Sequence, residues 1–468
     1  MNALSQYIDL YQKHSGLVDQ GSCPVMNNLR PLAFEVLKST ELPKKGAENY
    51  ETTDLSEILS PDYGLNLGRL NIDVNSEAPF RCGVPNMTSA MFFFRNDIYS
   101  EAAGANTNLP EGVFVGSLRK FCNQYPVLAA KYYGKIADIR NPLVTLNTLF
   151  SQDGIVVWVK ESVKCNRPIQ IVGILENGMP LMAIRRILVI AEKDSEIKML
   201  VCDHTQTDNV KFLNLAVTEI VAGENANVEI CEMEESSQLT SRLSTVYTSQ
   251  ASGSHISAVG VTLYNGTTRN EYHCAYEGPD ASLNLAGMAI VDCERRIDTY
   301  SRVTHTFPGC HTDELFKYVA DDNAVAAFSG LIKVMKGASK TEAFQSNRNI
   351  IGNDGAKVYS KPTLEIYDDD VKCSHGSAIG QLDPEQIFYM RTRGLSEEQA
   401  VFLLKQAFMA DVIEEIRMPD FRLRLHSLVE RRFAGGQRNC SSCKNMCLSD
   451  DRQSDYSQSA DSRTDDSN

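Results

Sequence analysis

The stretch KFLNLAVTEIVAGENANVEI, residues 211–230, decides the fold class. Leu213, Leu215 and Val217 alternate with other residues, and Val228 and Ile230 repeat the alternation a few positions on. A period of two puts alternate side chains on one face of a β-strand, where a helix would need a period of 3.6. The same pattern is present upstream in Ile155, Val157 and Val159 and in Ile169 and Ile171, and it continues to about Ile379. Turn dipeptides punctuate it at Asp153-Gly154, Asn177-Gly178, Asn265-Gly266 and Asp354-Gly355, and long helical patterns are nearly absent. The middle of the chain is therefore all-β and large. A sandwich, a barrel and a β-solenoid all satisfy this pattern, and no short exact repeat is visible to choose among them.

The period changes on either side of this region. Upstream, Leu29, Leu32, Phe34 and Leu37 recur at near-helical spacing, and Leu118 to Ala137 carries a similar pattern that Pro126 is expected to split into two short helices. Ser60 to Asn86, with Pro61, Pro79 and Pro85, reads as irregular or edge-strand material. Downstream, Asp383-Pro384-Glu385-Gln386 is a helix start, Gly394 offers a left-handed stop, and Ser396-Glu397-Glu398-Gln399 is a capping box. It opens a long helix whose apolar residues include Val401, Leu404, Phe408, Val412, Ile413 and Ile416. A basic segment from Phe421 to Phe433 follows Pro419. The expected organisation is a helix-containing domain over 1–147, a β core over 148–382, a helical domain over 383–434 and a tail over 435–468. From Ser449 to Asn468 the tail has six Asp against two Arg and no aliphatic residue larger than Ala, so it is expected to be disordered.

A chain of 468 residues is long enough for several domains, and 43% hydrophobic with 23% charged residues is ordinary globular composition. A net charge of −14 repels polyanions, which argues against nucleic acid as a partner. The most apolar segment, Met182 to Ala191, is short and interrupted by Arg185 and Arg186, so no membrane span is expected. Asp9 and Lys13 fall where a secretory signal would be apolar, and most of the thirteen cysteines are scattered singly. Both observations point to the cytoplasm.

No phosphate loop, dinucleotide-binding glycine turn, H-E-x-x-H or G-x-S-x-G motif is present, which removes weight from ATPases, dehydrogenases and common hydrolases. His273-Cys274 and Cys310-His311 are adjacent pairs on β chain and point to opposite faces. Cys373 and His375 are two apart and project to the same face, where a thiolate and an imidazole suit iron or an iron-sulfur unit. Two ligands make half a site, so a metal there requires ligands from another chain. Cys440, Cys443 and Cys447 have C-x2-C-x3-C spacing able to hold one soft ion, with His426 as a candidate fourth ligand. The acidic runs Asp321-Asp322 and Asp368-Asp369-Asp370 lie in turn-like sequence and leave a carbohydrate-active β-helix enzyme as a weaker reading.

The stretch from Lys361-Pro362-Thr363-Leu364-Glu365-Ile366-Tyr367 through Asp370-Val371-Lys372-Cys373-Ser374-His375-Gly376 to Glu385-Gln386-Ile387-Phe388-Tyr389 and Arg391-Thr392-Arg393-Gly394 resembles the C-terminal signature of the SufB/SufD family. Asp313 to Lys317, Phe328 to Val334 and Thr341 to Asn349 resemble it as well, and Leu42-Pro43 to Leu55 resembles the family's N-terminal motif more weakly. Tyr50-Glu51 departs from that motif, where tryptophan and a basic residue are usual. The Cys-Ser-His-Gly form is closer to the SufD branch.

The resemblance implies a right-handed parallel β-helix flanked by helical N- and C-terminal domains. It implies a non-catalytic scaffold that pairs with a SufB-like subunit and a SufC-like ATPase. The apolar residues of the Asp383 to Ile416 helices exceed what one buried stripe needs, and the consecutive Ile387, Phe388 and Tyr389 must face different directions, so some of that surface is expected to dock the ATPase. No permanent cofactor is implied. His375, supported by Cys373, would face a cysteine of the SufB-like partner and share a transient iron-sulfur cluster, and the sequence leaves open whether the complex also holds a flavin. A homodimer in isolation, or a SufB-like sole homodimeric scaffold, is the alternative. Deleting the chain from Asp383 is expected to abolish ATPase binding and leave a soluble β-rich core.

Overall fold

The computed structural model describes residues 3–72, 74, 90–101 and 109–435. The N-terminal part contains α1 (Ser5–Gln20), α2 (Pro24–Asn27), α3 (Arg30–Ser39), α4 (Leu55–Leu59), α5 (Leu118–Gln124), α6 (Pro126–Tyr132) and α7 (Pro142–Phe150). Pro126 begins α6 at a position where its missing amide costs nothing, so it divides the helical pattern as its ring predicts. The same part supplies three strands that the helical reading did not contain: β1 (Ala90–Arg95), β2 (Ile98–Glu101) and β3 (Val113–Ser117). Pro79 and Pro85, in the stretch expected to be irregular, fall outside the described residues.

The middle is a parallel β-solenoid. One sheet runs β3, β4 (Ile155–Val159), β6 (Leu181–Ala191), β8 (Phe212–Ala222), β10 (Thr240–Gln250), β12 (Thr267–Tyr276), β14 (Arg296–His305), β16 (Val325–Val334) and β18 (Lys357–Ile366). The other runs β2, β1, β5 (Lys164–Leu175), β7 (Glu196–Thr205), β9 (Asn227–Glu235), β11 (His255–Tyr264), β13 (Ser282–Val291), β15 (His311–Ala320), β17 (Thr341–Ile351) and β19 (Val371–Gly380). Each coil contributes one strand to each sheet, giving about eight turns. Coil length varies: Ser241 lies beside Thr267, 26 positions on, whereas Val325 lies beside Lys357, 32 positions on. That irregularity hides the repeat from the sequence.

Both faces of most strands are buried, for different reasons. The lumen is filled by stacked side chains such as Ile155, Val189, Ile230, Leu285 and Phe328. The outer face of the β4–β18 sheet is covered by α1, α3 and α7, which pack on Met182, Ile184, Leu213 and Leu215. Leu213 and Leu215, whose alternation decided the fold class, therefore point outward under helices, while Val228 and Ile230 point into the lumen. Arg185 and Arg186 interrupt the apolar segment because they leave on opposite faces. Arg185 pairs with Asp203 inside, and Arg186 pairs outside with Glu219, both side chains fully buried. Glu219 also accepts the amides of Gly134, Ile136 and Ala137, tying the α6–α7 loop to the sheet.

The outer face of the β5–β19 sheet is covered by the C-terminal helices α9 (Glu397–Glu414) and α10 (Pro419–Phe433), and the short α8 (Pro384–Thr392) lies against α9 with no buried residue. Asp383 accepts the Glu385 amide, Gly394 has φ +94°, and Ser396 with Gln399 completes a reciprocal capping box. Met409, Val412, Ile413, Phe421 and Leu425 pack on Val259, Val261, Met288 and Val319. Removing the chain from Asp383 would bare that apolar face, so the expectation of a soluble truncated core gives way to a poorly soluble one.

Candidate functional site

The last coil is open. β18 and β19 each have a neighbour on one side, and no strand among the described residues pairs with their other edge. The residues of β19 are half-buried or exposed along its whole length. An unpaired strand edge presents a row of free amide and carbonyl groups, which a second chain can complete. The preceding turn is set by Asp368, whose carboxylate accepts the Gly337 amide at 2.9 Å.

Cys373 and His375 sit on this strand and share its inward face. Cys373 stands beside Ala343 and His375 beside Gln345, and both partners are buried lumen residues. Cys373 packs half-buried against the lumen core, and burial pushes its thiol up, which favours the protonated form. His375 is exposed at the mouth. Among the described residues, no group of three or more His, Cys, Asp or Glu side chains could hold a metal ion. Cys373 and His375 therefore stand side by side on the inward face of an open last coil, and the described residues add no third donor to them.

The other sequence candidates separate. Cys440, Cys443 and Cys447 lie outside the described residues. His426, on α10, meets Glu414 at 3.3 Å. His273 stacks on Tyr247 outside the solenoid while its neighbour Cys274 is in the lumen, as alternation requires. Asp321 binds Lys405 of α9 at 2.8 Å and Asp322 adopts a left-handed turn conformation, so that acidic run serves docking and a turn. The N-terminal motif lies on the outer face of the sheet, where Tyr50 donates to Glu271 at 2.7 Å and lies over the Arg269 guanidinium, and Thr52 and Thr53 donate to Asp298.

One feature was not read from the sequence. Glu314 and Gln345 stand in the lumen directly beneath His375. Both lie in stretches that carry the family resemblance, but only the coil register places them there. The apolar surface expected on the C-terminal helices is present: Phe388 and Tyr389 are 68% and 58% exposed beside a groove of about 410 Å³ lined by Ile350, Leu382, Ile387 and Val401. The consecutive Ile387, Phe388 and Tyr389 do face different directions, leaving apolar surface uncovered in this chain.

Comparison with known proteins joins the two ends of the chain. The family described as SUF system FeS cluster assembly, SufBD core domain, matches residues 174–408, and the SufBD protein N-terminal region matches residues 1–171. An iron-sulfur cluster assembly SufBD family protein of Synechocystis is 27% identical over 428 residues, covering 90% of this chain and 94% of its own length. The iron-sulfur cluster assembly protein SufD of Bacillus subtilis is 23% identical over 87% of this chain and 94% of its own length. SufD of Escherichia coli is 35% identical over 161 residues, 34% of this chain and 38% of its own length. With the solenoid, its flanking helices and both family regions in place, the chain belongs to the SufBD family of the SUF iron-sulfur cluster assembly system.

Proposed function

We propose that this chain is the SufD-like subunit of a cytoplasmic SUF assembly complex, a scaffold without catalytic activity of its own. Its open solenoid end pairs with a SufB-like subunit, and the α8–α9 surface docks a SufC-like ATPase that supplies the energy for rearrangement. Iron and sulfide are the substrates. The nascent cluster is held transiently between His375, with Cys373 in support, and ligands of the SufB-like subunit. The observation that carries this reading is the pair of donors, Cys373 and His375, on a terminal strand whose edge has no partner among the described residues. The likeness to named SufD proteins favours this role over a sole homodimeric scaffold. No helix among the described residues is long and apolar enough to cross a membrane.

The test is co-expression with SufB-like and SufC-like subunits and anaerobic purification with iron and sulfide assays. His375→Ala is expected to leave the subunits associated, because one side chain is small beside a subunit interface, and to abolish cluster accumulation. Wild-type iron and sulfide in that variant would overturn the ligand assignment, and a mass showing only a homodimer would overturn the SufD-like role. Phe388→Asp is expected to release the ATPase while the subunit keeps its thermal midpoint. Undiminished ATPase binding would move the docking surface elsewhere.

A further inference from the structure

The lumen beneath His375 holds a polar column. In successive coils Leu285, Glu314, Gln345 and His375 occupy one register position, each strand about 4.8 Å from the last. Glu314 and Gln345 are 3% and 2% exposed. Glu314 Oε2 accepts from Ser301 Oγ at 3.1 Å and from Gln345 Nε2. The space for that amide is made by Gly330, where an added Cβ would lie 2.3 Å from Gln345 Nε2 and 2.8 Å from the Phe328 ring.

With its nitrogen committed to Glu314, the Gln345 side chain turns its oxygen the other way. That Oε1 is buried and has no hydrogen-bond partner among the described residues. A buried amide oxygen without a donor is destabilising, and the next side chain along the column is the imidazole of His375. A metal-bound histidine is ordinarily fixed by a hydrogen bond from its second ring nitrogen.

We propose that Gln345, oriented by Glu314, is the positioning residue for His375: its Oε1 accepts the N–H of one ring nitrogen and leaves the lone pair of the other facing out of the coil toward iron. The inference rests on the reading of His375 as a ligand, and it gives this open half-site an inner hydrogen-bonded layer within its own chain. Glu314 and Ser301 hold the amide, and Gly330 admits it.

The experiment uses the full-length chain labelled with ¹⁵N-histidine, the His375 signals being identified by their loss in His375→Ala. The wild type is expected to show one neutral tautomer for His375. Gln345→Leu is expected to give a mixture, and Gln345→Glu, which keeps an acceptor at the same place, to restore a single tautomer. Glu314→Gln, close in shape to the native residue, provides a variant that keeps the lumen packed while loosening the amide, and is expected to give a partial mixture. In the assembled complex, Gln345→Leu is expected to weaken iron retention about 10- to 100-fold, the usual effect of losing a residue behind a metal ligand. A mixed tautomer in the wild type, or one unmoved by Gln345→Leu, would overturn the inference even if His375 binds iron. A tautomer that responds while iron content ignores His375→Ala would support the hydrogen bond and overturn the ligand reading.

Discussion

Replacing Glu314 by Gln tests the character of the lumen. Among the described residues the carboxyl of Glu314 has the neutral Ser301 and Gln345 as hydrogen-bond partners, and burial pushes its pKa up to about 7. The titratable groups facing it from β12, Cys274 and Tyr276, are themselves pushed up by burial and stay protonated, so they supply no counter-charge. A carboxyl whose pKa is higher in the folded than in the unfolded chain binds a proton on folding. Its contribution is fully present below the ordinary 4.5 and is lost as the pH rises through about 7. That interval, at about 1.4 kcal/mol per pH unit, corresponds to about 3.5 kcal/mol in full. Glu314→Gln removes the titration and keeps an acceptor and nearly the same volume. Its stability relative to wild type should therefore improve by about 3 kcal/mol between pH 4 and pH 8, most of it between pH 5 and pH 8. Urea unfolding of both proteins at each pH, with equal slopes, measures this double difference, in which all other groups cancel. A double difference below about 0.5 kcal/mol would show that Glu314 is not held in a dry, uncompensated site.

Other expectations follow from close contacts. Arg186→Met leaves Glu219 buried without its cation and should cost about 3–5 kcal/mol, whereas the double variant with Glu219→Leu should lose less than the two single changes combined. Strict additivity in urea unfolding would contradict the pairing. Gly287→Ala places a Cβ 2.6 Å from the Phe316 ring in the lumen and should destabilise by about 1–3 kcal/mol. Combining it with Phe316→Leu should cost less than the sum of the separate changes, and an unshifted thermal midpoint for Gly287→Ala alone would mean that the lumen yields there.

What the sequence determined by itself is local. The change from a period of 3.6 to two and back gave the order helical, β, helical, because periodicity depends only on neighbours along the chain. The split at Pro126, the left-handed Gly394 and the box at Ser396 were legible for the same reason, since each is settled within a few residues. The shared face of Cys373 and His375 was also local, two residues on one strand. The choice of a solenoid over a sandwich or barrel was not available from the period, and came from the resemblance. Coils of 26 to 32 residues leave no fixed repeat to find. Nor did alternation say which face it served: Leu213 and Leu215 lie under helices, whereas Val228 and Ile230 fill the lumen, since a strand buried on both sides carries apolar residues on either face. Only the tertiary structure put Glu314 and Gln345 under His375. Those residues are some thirty positions apart, and their alignment is fixed by how many residues each intervening coil spends on its turns, a quantity that no local pattern encodes.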